Sequence, residues 1–131
     1  MIEASPPTPG SANPQTKILV IEDEAMISLL IEDMLLELGY STIWLATSVA
    51  QALASIAERR PDVAVLDVNL GGERAYPVAE RLAELDIPFV FATGYGRFGV
   101  DARWSARPVM QKPYNIETLD EALRRALGVI P

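Results

Sequence analysis

The chain has 131 residues, and 50% of them are hydrophobic, so it has room for one compact domain with a real core. Its formal charge of −7 disfavours binding to nucleic acid or anionic lipid through a basic surface. It has no cysteine and no histidine, which excludes disulfides, thiolate chemistry and the commonest general base and zinc ligand.

The two ends of the chain differ in character. Residues 1–16 are rich in proline and small polar residues, a composition that cannot offset the entropy of ordering it, and we predict a disordered tail there. Residues 17–128 are predicted to form the folded domain. The N-terminus has no basic start followed by an apolar stretch, and the chain has no run of about 18 apolar residues, so we expect a cytoplasmic protein that does not enter a membrane.

From residue 17 onwards, short β-branched runs alternate with helical patterns. In the first helix, which Asp23 or Glu24 opens and Gly39 ends, apolar residues recur at the spacing of an amphipathic helix, and these are Met26, Leu29, Leu30, Met34 and Leu38. The other predicted helices are residues 49–59, 75–84 and 116–127, and the predicted strands are residues 18–21, 42–46, 63–66, 89–92 and 109–110. Residues 94–107 contain three glycines, which predicts a short or irregular fourth helix.

This alternation predicts an α/β fold of five βα units. Right-handed crossovers then give a parallel five-stranded sheet with helices on both faces. By analogy with flavodoxin-like folds we expect the strand order 2-1-3-4-5.

Polar residues stand at the ends of the predicted strands. Glu22 and Asp23 follow the first strand, Asp67 the third, Thr93 the fourth and Lys112 the fifth. The carboxyl ends of parallel strands meet at one edge of the sheet, where ligands bind in such folds. The sequence therefore predicts a shared crevice that contains three carboxylates, a hydroxyl and an ammonium group.

Three carboxylates in one crevice need compensation. At about 5 Å each pair repels by about 3 kcal/mol at an effective dielectric constant near 20. Protonation, hydration, Lys112 or a hard divalent cation can relieve this repulsion, and Mg²⁺ suits carboxylates that share a site with phosphate oxygens. An ionised Asp67 could then attack phosphorus without a general base, while Lys112 and Thr93 contact the transferring oxygens.

At these residues the chain resembles the receiver domains of bacterial two-component response regulators. The resemblance rests on Glu22-Asp23, Asp67, Thr93 and Lys112-Pro113, at intervals of 44 residues from Asp23 to Asp67, 26 to Thr93 and 19 to Lys112. Residues 88–95 read PFVFATGY and resemble the PFxFATGY signature of the stand-alone "FAT GUY" response regulators.

The resemblance implies specific roles and partners. It implies that Asp67 is the phosphoacceptor, that Asp23 binds Mg²⁺ directly, that Glu22 acts through water and that the Asn69 carbonyl is a further ligand. It also implies a cis bond before Pro113. A sensor histidine kinase or phosphotransfer protein would supply the phosphoryl group, and a downstream protein partner in a stress-response network would read the phosphorylated state. Beyond self-phosphorylation and autodephosphorylation we expect no enzymatic activity, and we expect a monomer or weak dimer.

One position departs from the family pattern. Most receivers have an aromatic switch residue three positions before the lysine, where this chain has Val109. The usual coupling of Thr93 to that aromatic ring is therefore in doubt, and Tyr95 is a candidate replacement.

Other interpretations compete with phosphorylation. Taken singly, Asp67 could be a helix cap, Thr93 a turn residue and Lys112 a solvated charge. A phosphatase of the haloacid dehalogenase type needs a carboxylate two residues after its nucleophile, where this chain has Asn69, and a flavin carrier would need a phosphate-binding loop in place of the acidic residues 22–24. A receiver-shaped adaptor that works without phosphate remains open.

Overall fold

A computed structural model describes residues 13–94 and 99–130. Residues 13–16, which belong to the predicted tail, form a turn in which the Thr16 N–H donates to the Asn13 carbonyl oxygen at 3.0 Å. The Ser41 hydroxyl donates to the Pro14 carbonyl oxygen at 2.7 Å and joins this turn to the domain. The rest of the predicted tail lies outside the described residues.

Strands and helices alternate as predicted, with boundaries close to the expected ones. The strands are β1 (Lys17–Ile21), β2 (Thr42–Ala46), β3 (Val63–Asp67), β4 (Asn69–Leu70), β5 (Glu73–Arg74), β6 (Phe89–Thr93) and β7 (Val109–Gln111). The α-helices of the described residues are α1 (Ala25–Leu38), α2 (Val49–Arg59), α3 (Tyr76–Glu84) and α4 (Ile116–Ala126).

Five of the strands form a parallel sheet in the order β2-β1-β3-β6-β7. This is the predicted order 2-1-3-4-5, counted over the strands of the main sheet, and it confirms the flavodoxin-like fold. Strands β4 and β5 were not predicted from the sequence, and they form a separate antiparallel hairpin between β3 and α3. Two-residue strands are too short to produce a visible hydrophobic alternation.

The sheet separates two hydrophobic clusters. In β1, Leu19 and Ile21 point to one cluster while Ile18 and Val20 point to the other, and the remaining central strands alternate in the same way. Helices α2 and α3 cover the first cluster, and α1 and α4 cover the second. The central strands are thus buried on both faces, which explains their nearly continuous apolar runs.

Helix α1 turns a different face to the core from the one its apolar spacing indicates. Its fully buried residues are Ser28, Ile31 and Leu35. Of the predicted apolar face, Met34 and Leu38 are half-buried against the same cluster, whereas Met26, Leu29 and Leu30 are 84%, 54% and 56% exposed. Apolar residues surround almost the whole helix, so their periodicity does not select one face. The result is an apolar outer surface on α1, formed by Met26, Leu29 and Leu30.

The segment before β7 has no α-helix in its described part, residues 94 and 99–107, as predicted for a short or irregular fourth helix. It contains a 3-10 turn at Ala102–Trp104. Trp104 is buried there, and its ring packs edge-to-face on Phe89 and Phe91 at centroid distances of 5.7 and 6.2 Å. The tryptophan thus holds this irregular segment against the sheet.

Within residues 13–94 and 99–130, no helix has both the length and the apolar character needed to cross a bilayer.

Candidate functional site

The sheet register brings the predicted site residues to one edge. Asp67 and Thr93 are the last residues of β3 and β6, and Glu22 and Lys112 directly follow β1 and β7. The Glu22 N–H donates to the Ala46 carbonyl oxygen at 3.0 Å, and the Lys112 N–H donates to the Thr93 carbonyl oxygen at 2.8 Å. These backbone hydrogen bonds continue the parallel ladders past the strand ends. The side chains of Glu22 and Lys112 are therefore held at the same edge of the sheet as those of Asp67 and Thr93.

Three carboxylates converge at this edge. One oxygen from each of Glu22, Asp23 and Asp67 lies within 4.8 Å of the other two. Glu22 and Asp67 are buried, with exposed fractions of 1% and 6%, while Asp23 is more accessible. Hard oxygen donors at this separation suit a small divalent cation with oxygen ligands, so the pocket can hold a metal ion.

Lys112 bridges two of the three carboxylates. Its Nζ donates to Glu22 Oε1 at 2.8 Å and to Asp67 Oδ2 at 3.0 Å, and its side chain is 21% exposed. Burial alone would lower the pKa of Lys112, but its hydrogen bonds to Glu22 and Asp67 and their charges raise the pKa overall. The lysine therefore remains charged and offsets part of the acidic repulsion.

The burial of Glu22 disfavours its ionised form. Burial raises its pKa from 4.5 to about 7, and the charge of Asp67 acts in the same direction. Hydrogen bonds from Lys112 and from the Glu24 N–H, which donates to Oε2 at 3.1 Å, oppose the shift. At neutral pH a cation near Glu22 would therefore favour its ionised form.

Asp23 is held by the hairpin that the sequence analysis missed. The Gly71 N–H donates to Asp23 Oδ2 at 2.9 Å. Gly71 and Gly72 have φ values of 61° and 88° and connect β4 to β5, where two positive φ angles match the right-handed twist of a two-residue hairpin. The Gly71-Gly72 pair was the sequence signal that could have identified this hairpin.

The predicted site residues other than the buried Glu22 line a cavity of about 580 Å³ that is open to solvent. Its lining contains Asp23, Asp67 and Lys112, and it also contains Asn69 and Thr93, which the sequence analysis had assigned to the site. Arg74 lines the same cavity, and sequence reasoning missed it.

Two further expectations concern the surroundings of the pocket. The Lys112–Pro113 peptide bond is cis, as the family resemblance implied. Val109 is half-buried and pairs with Phe91 in the sheet, within the cluster that contains Trp104. The candidate switch residue Tyr95 lies outside the described residues.

Together these features define a doubly wound α/β domain with an acidic, lysine-bridged pocket at the carboxyl edge of its sheet. Such a pocket combines a buried carboxylate, room for a cation and a fixed ammonium group, which are the elements needed to accept a phosphoryl group. The family model of the response regulator receiver domain matches residues 18–124, and the chain belongs to this family. It is a receiver domain that acts in phosphorylation-dependent signalling.

Comparisons with individual proteins agree with this assignment. The solution structure of SdrG from Sphingomonas melonis Fr1 is 46% identical, with a TM-score of 0.77, and the match covers 88% of this chain and 98% of SdrG. Sporulation initiation phosphotransferase F from Bacillus subtilis is 27% identical over 116 residues, which cover 85% of this chain and 93% of that protein. The PhyR stress response regulator is 29% identical with a TM-score of 0.74, and the match covers 88% of this chain but 46% of PhyR.

Proposed function

We propose that Asp67 accepts a phosphoryl group from a phosphohistidine on a sensor histidine kinase or phosphotransfer protein. The observation that carries this proposal is the convergence of Glu22, Asp23 and Asp67 around Lys112 at the edge of the sheet. In the step itself, a carboxylate oxygen of Asp67 attacks phosphorus and the P–N bond of the donor breaks. The imidazole keeps the bonding electron pair, and Asp67 becomes an acyl phosphate.

Lys112 and Thr93 are the proposed partners of the transferred group. Lys112 already lies 3.0 Å from Asp67 Oδ2, so a small movement of its ammonium group would bring it to a phosphoryl oxygen. The Thr93 hydroxyl would donate a hydrogen bond to another of these oxygens. Both groups counter negative charge on the transferring phosphoryl group.

We propose Mg²⁺ as the cofactor of this site. Asp23, Asp67 and the Asn69 carbonyl would bind it directly, and Glu22 would bind it through water, following the family resemblance. The three clustered carboxylates and the raised pKa of Glu22 support the assignment, because both indicate a demand for further positive charge. When bound, the ion would neutralise charge on the phosphoryl oxygens.

The apolar outer surface of α1 is the proposed docking surface for the phosphodonor. Beside it, a groove of about 120 Å³ is lined almost entirely by apolar area, and Leu30 and Met34 form one side while Pro113 and Tyr114 form the other. Lys112 lines both this groove and the Asp67 cavity. An amphipathic helix of the partner could cover this surface and present its histidine to Asp67.

Leu30→Ala tests the docking assignment, and Leu36→Ala is a matched control because Leu36 is 52% exposed on the same helix. We expect Leu30→Ala to slow phosphotransfer from the cognate kinase while phosphorylation by acetyl phosphate is unchanged. Equal kinase rates for the two variants would contradict the docking assignment.

The output is proposed to pass through protein contacts rather than through catalysis on an external substrate. The PFVFATGY sequence supports a place among the FAT GUY regulators, and similarity to the PhyR stress response regulator supports a role in a stress-response network. We propose a cytoplasmic location as well, because the sequence carries no export signal. Thr93 and Tyr95 are the proposed switch residues. If Tyr95→Ala left phosphorylation-dependent partner binding unchanged, Tyr95 would have no such role.

Phosphorylation with acetyl phosphate tests the central proposal. We expect intact-mass spectrometry to detect the addition of one phosphoryl group that requires Mg²⁺ and disappears in Asp67→Asn. Asp33→Asn, which changes an exposed aspartate on α1, should be phosphorylated like the original chain. If the original chain took up no phosphoryl group, a phosphate-independent adaptor would replace this proposal. If Asp67→Asn took up the group equally well, a residue other than Asp67 would be the phosphoacceptor.

A further inference from the structure

We propose that Arg74 is a second cationic ligand for the phosphoryl group in the Asp67 pocket. The proposal rests on the proposed function of Asp67 and adds a residue to its binding site. The only cationic side chain assigned to the pocket so far is that of Lys112. Before phosphorylation its ammonium group is already paired with the carboxylates of Glu22 and Asp67.

The hairpin β4–β5 determines the face from which the Arg74 side chain projects. Its register pairs Asn69 with Arg74 and Leu70 with Glu73. Paired residues of an antiparallel ladder project from the same face, and the two pairs project from opposite faces. Leu70 is 4% exposed and packs into the core, so Asn69 and Arg74 lie on the outward face, where both line the Asp67 cavity.

Arg74 also differs from the other arginines. Within residues 13–94 and 99–130, every other arginine contacts a carboxylate, a carbonyl oxygen or an aromatic ring. Among these same residues the Arg74 side chain has no hydrogen bond, ion pair or ring contact, although Asp23, Glu24 and Asp67 line the same cavity. Arg74 is an exposed residue, so its guanidinium can contact an incoming group.

The chemistry of the guanidinium suits a phosphoryl group. It presents several N–H donors in a planar arrangement that matches two oxygens of a phosphate, which an ammonium group cannot do. The hairpin that carries it is joined to Asp23 through the Gly71 N–H, so the arginine is held on the rim next to the acidic cluster. Lys112 and Arg74 would then approach the phosphoryl oxygens from different elements of the fold.

Beryllofluoride, which mimics a phosphoryl group on a carboxylate, provides the test. Its affinity is measured at saturating Mg²⁺ by thermal shift and fluorescence titration for the original chain, Arg74→Ala, Arg74→Lys and Arg81→Ala. Arg81 is the matched control because it is an exposed arginine on the next helix, 3.4 Å from Glu84. Circular dichroism checks that all variants keep the fold.

We expect Arg74→Ala to bind beryllofluoride about tenfold more weakly, a difference of about 1.4 kcal/mol, with Arg74→Lys between it and the original chain. Arg81→Ala should stay within about twofold of the original chain. Without beryllofluoride, Arg74→Ala should bind Mg²⁺ at least as tightly as the original chain, because a positive charge has left the rim of an acidic pocket.

Two negative results have different meanings. If the original chain binds beryllofluoride and Arg74→Ala binds it equally well, Arg74 is a solvated surface charge and this inference alone is wrong. If the original chain binds no beryllofluoride in the presence of Mg²⁺, the proposed function of Asp67 fails and the role of Arg74 fails with it.

Discussion

The raised pKa of Glu22 predicts that the metal-free protein loses stability as pH rises towards neutrality. The folded protein holds a proton on Glu22 up to a pKa of about 7, whereas in the unfolded chain this carboxyl has its ordinary value of 4.5. Between these values the folded state binds more protons than the unfolded state. The contribution of Glu22 is therefore fully present below pH 4.5 and is lost as pH rises through about 7.

The two pKa values set the size of this effect. They differ by about 2.5, and each pH unit corresponds to about 1.36 kcal/mol, so the full loss is about 3 kcal/mol. Glu22 is 1% exposed, so solvent does little to screen its charge. A change of this size is a large part of the ~5–15 kcal/mol stability of a typical domain.

Urea unfolding in EDTA at a series of pH values measures the loss, and Glu22→Gln isolates the contribution of this residue. We expect the difference in unfolding free energy between the original chain and Glu22→Gln to change by about 3 kcal/mol across the interval. Glu58→Gln removes an exposed glutamate on α2 and should keep the pH dependence of the original chain. Saturating Mg²⁺ should flatten the profile of the original chain, because the ion favours ionised Glu22.

Parallel curves of unfolding free energy against pH for Glu22→Gln and the original chain would refute the raised pKa of Glu22. If Glu22→Gln and the original chain lost stability with pH at the same rate, Glu22 would be ionised in the folded protein at a low pH. The compensation by Lys112 would then be sufficient, and the acidic cluster would create no demand for a metal ion.

Three further predictions concern individual residues. Asp23→Asn should weaken Mg²⁺ binding, measured by calorimetry, by at least about tenfold, and unchanged affinity would remove Asp23 from the metal site. Ser48→Ala should lower the unfolding free energy by about 1 kcal/mol, because Ser48 Oγ accepts from the Gln51 N–H at the start of α2; an unchanged urea midpoint would contradict this. Leu35→Ala should cost about 2–5 kcal/mol, against at most about 0.5 kcal/mol for Leu36→Ala, and equal losses would mean that the buried face of α1 is wrongly assigned.

Most of the fold could be predicted because the central strands are buried on both faces. Their apolar runs stand out from the helical patterns, and only a parallel sheet with two helical layers accommodates five such units. The convergence of Glu22, Asp67 and Lys112 followed from the same rule, since each lies at or just after the end of a strand. A carboxylate and a lysine 45 residues apart thus meet at 3.0 Å without any local sequence signal.

The features that sequence reasoning missed depend on local geometry or on exposure. The hairpin β4–β5 is set by the backbone angles of Gly71 and Gly72 rather than by an apolar pattern, and Arg74 reaches the pocket only through its register. The buried face of α1 could not be selected because apolar side chains lie almost all round that helix. Ser28 is buried there although a hydroxyl usually marks the solvent side.

The separation of the core into two clusters has a consequence for how such a chain can diversify. Among residues 13–94 and 99–130, none belongs to both clusters, so a change of volume beneath α2 and α3 does not directly alter the side-chain contacts beneath α1 and α4. Substitutions on opposite sides of the sheet that lie more than about 7–10 Å apart should then combine almost additively, within about 0.3–0.5 kcal/mol. The residues of each cluster could change in evolution or be redesigned separately, while the carboxyl ends of the strands that form the pocket keep their positions.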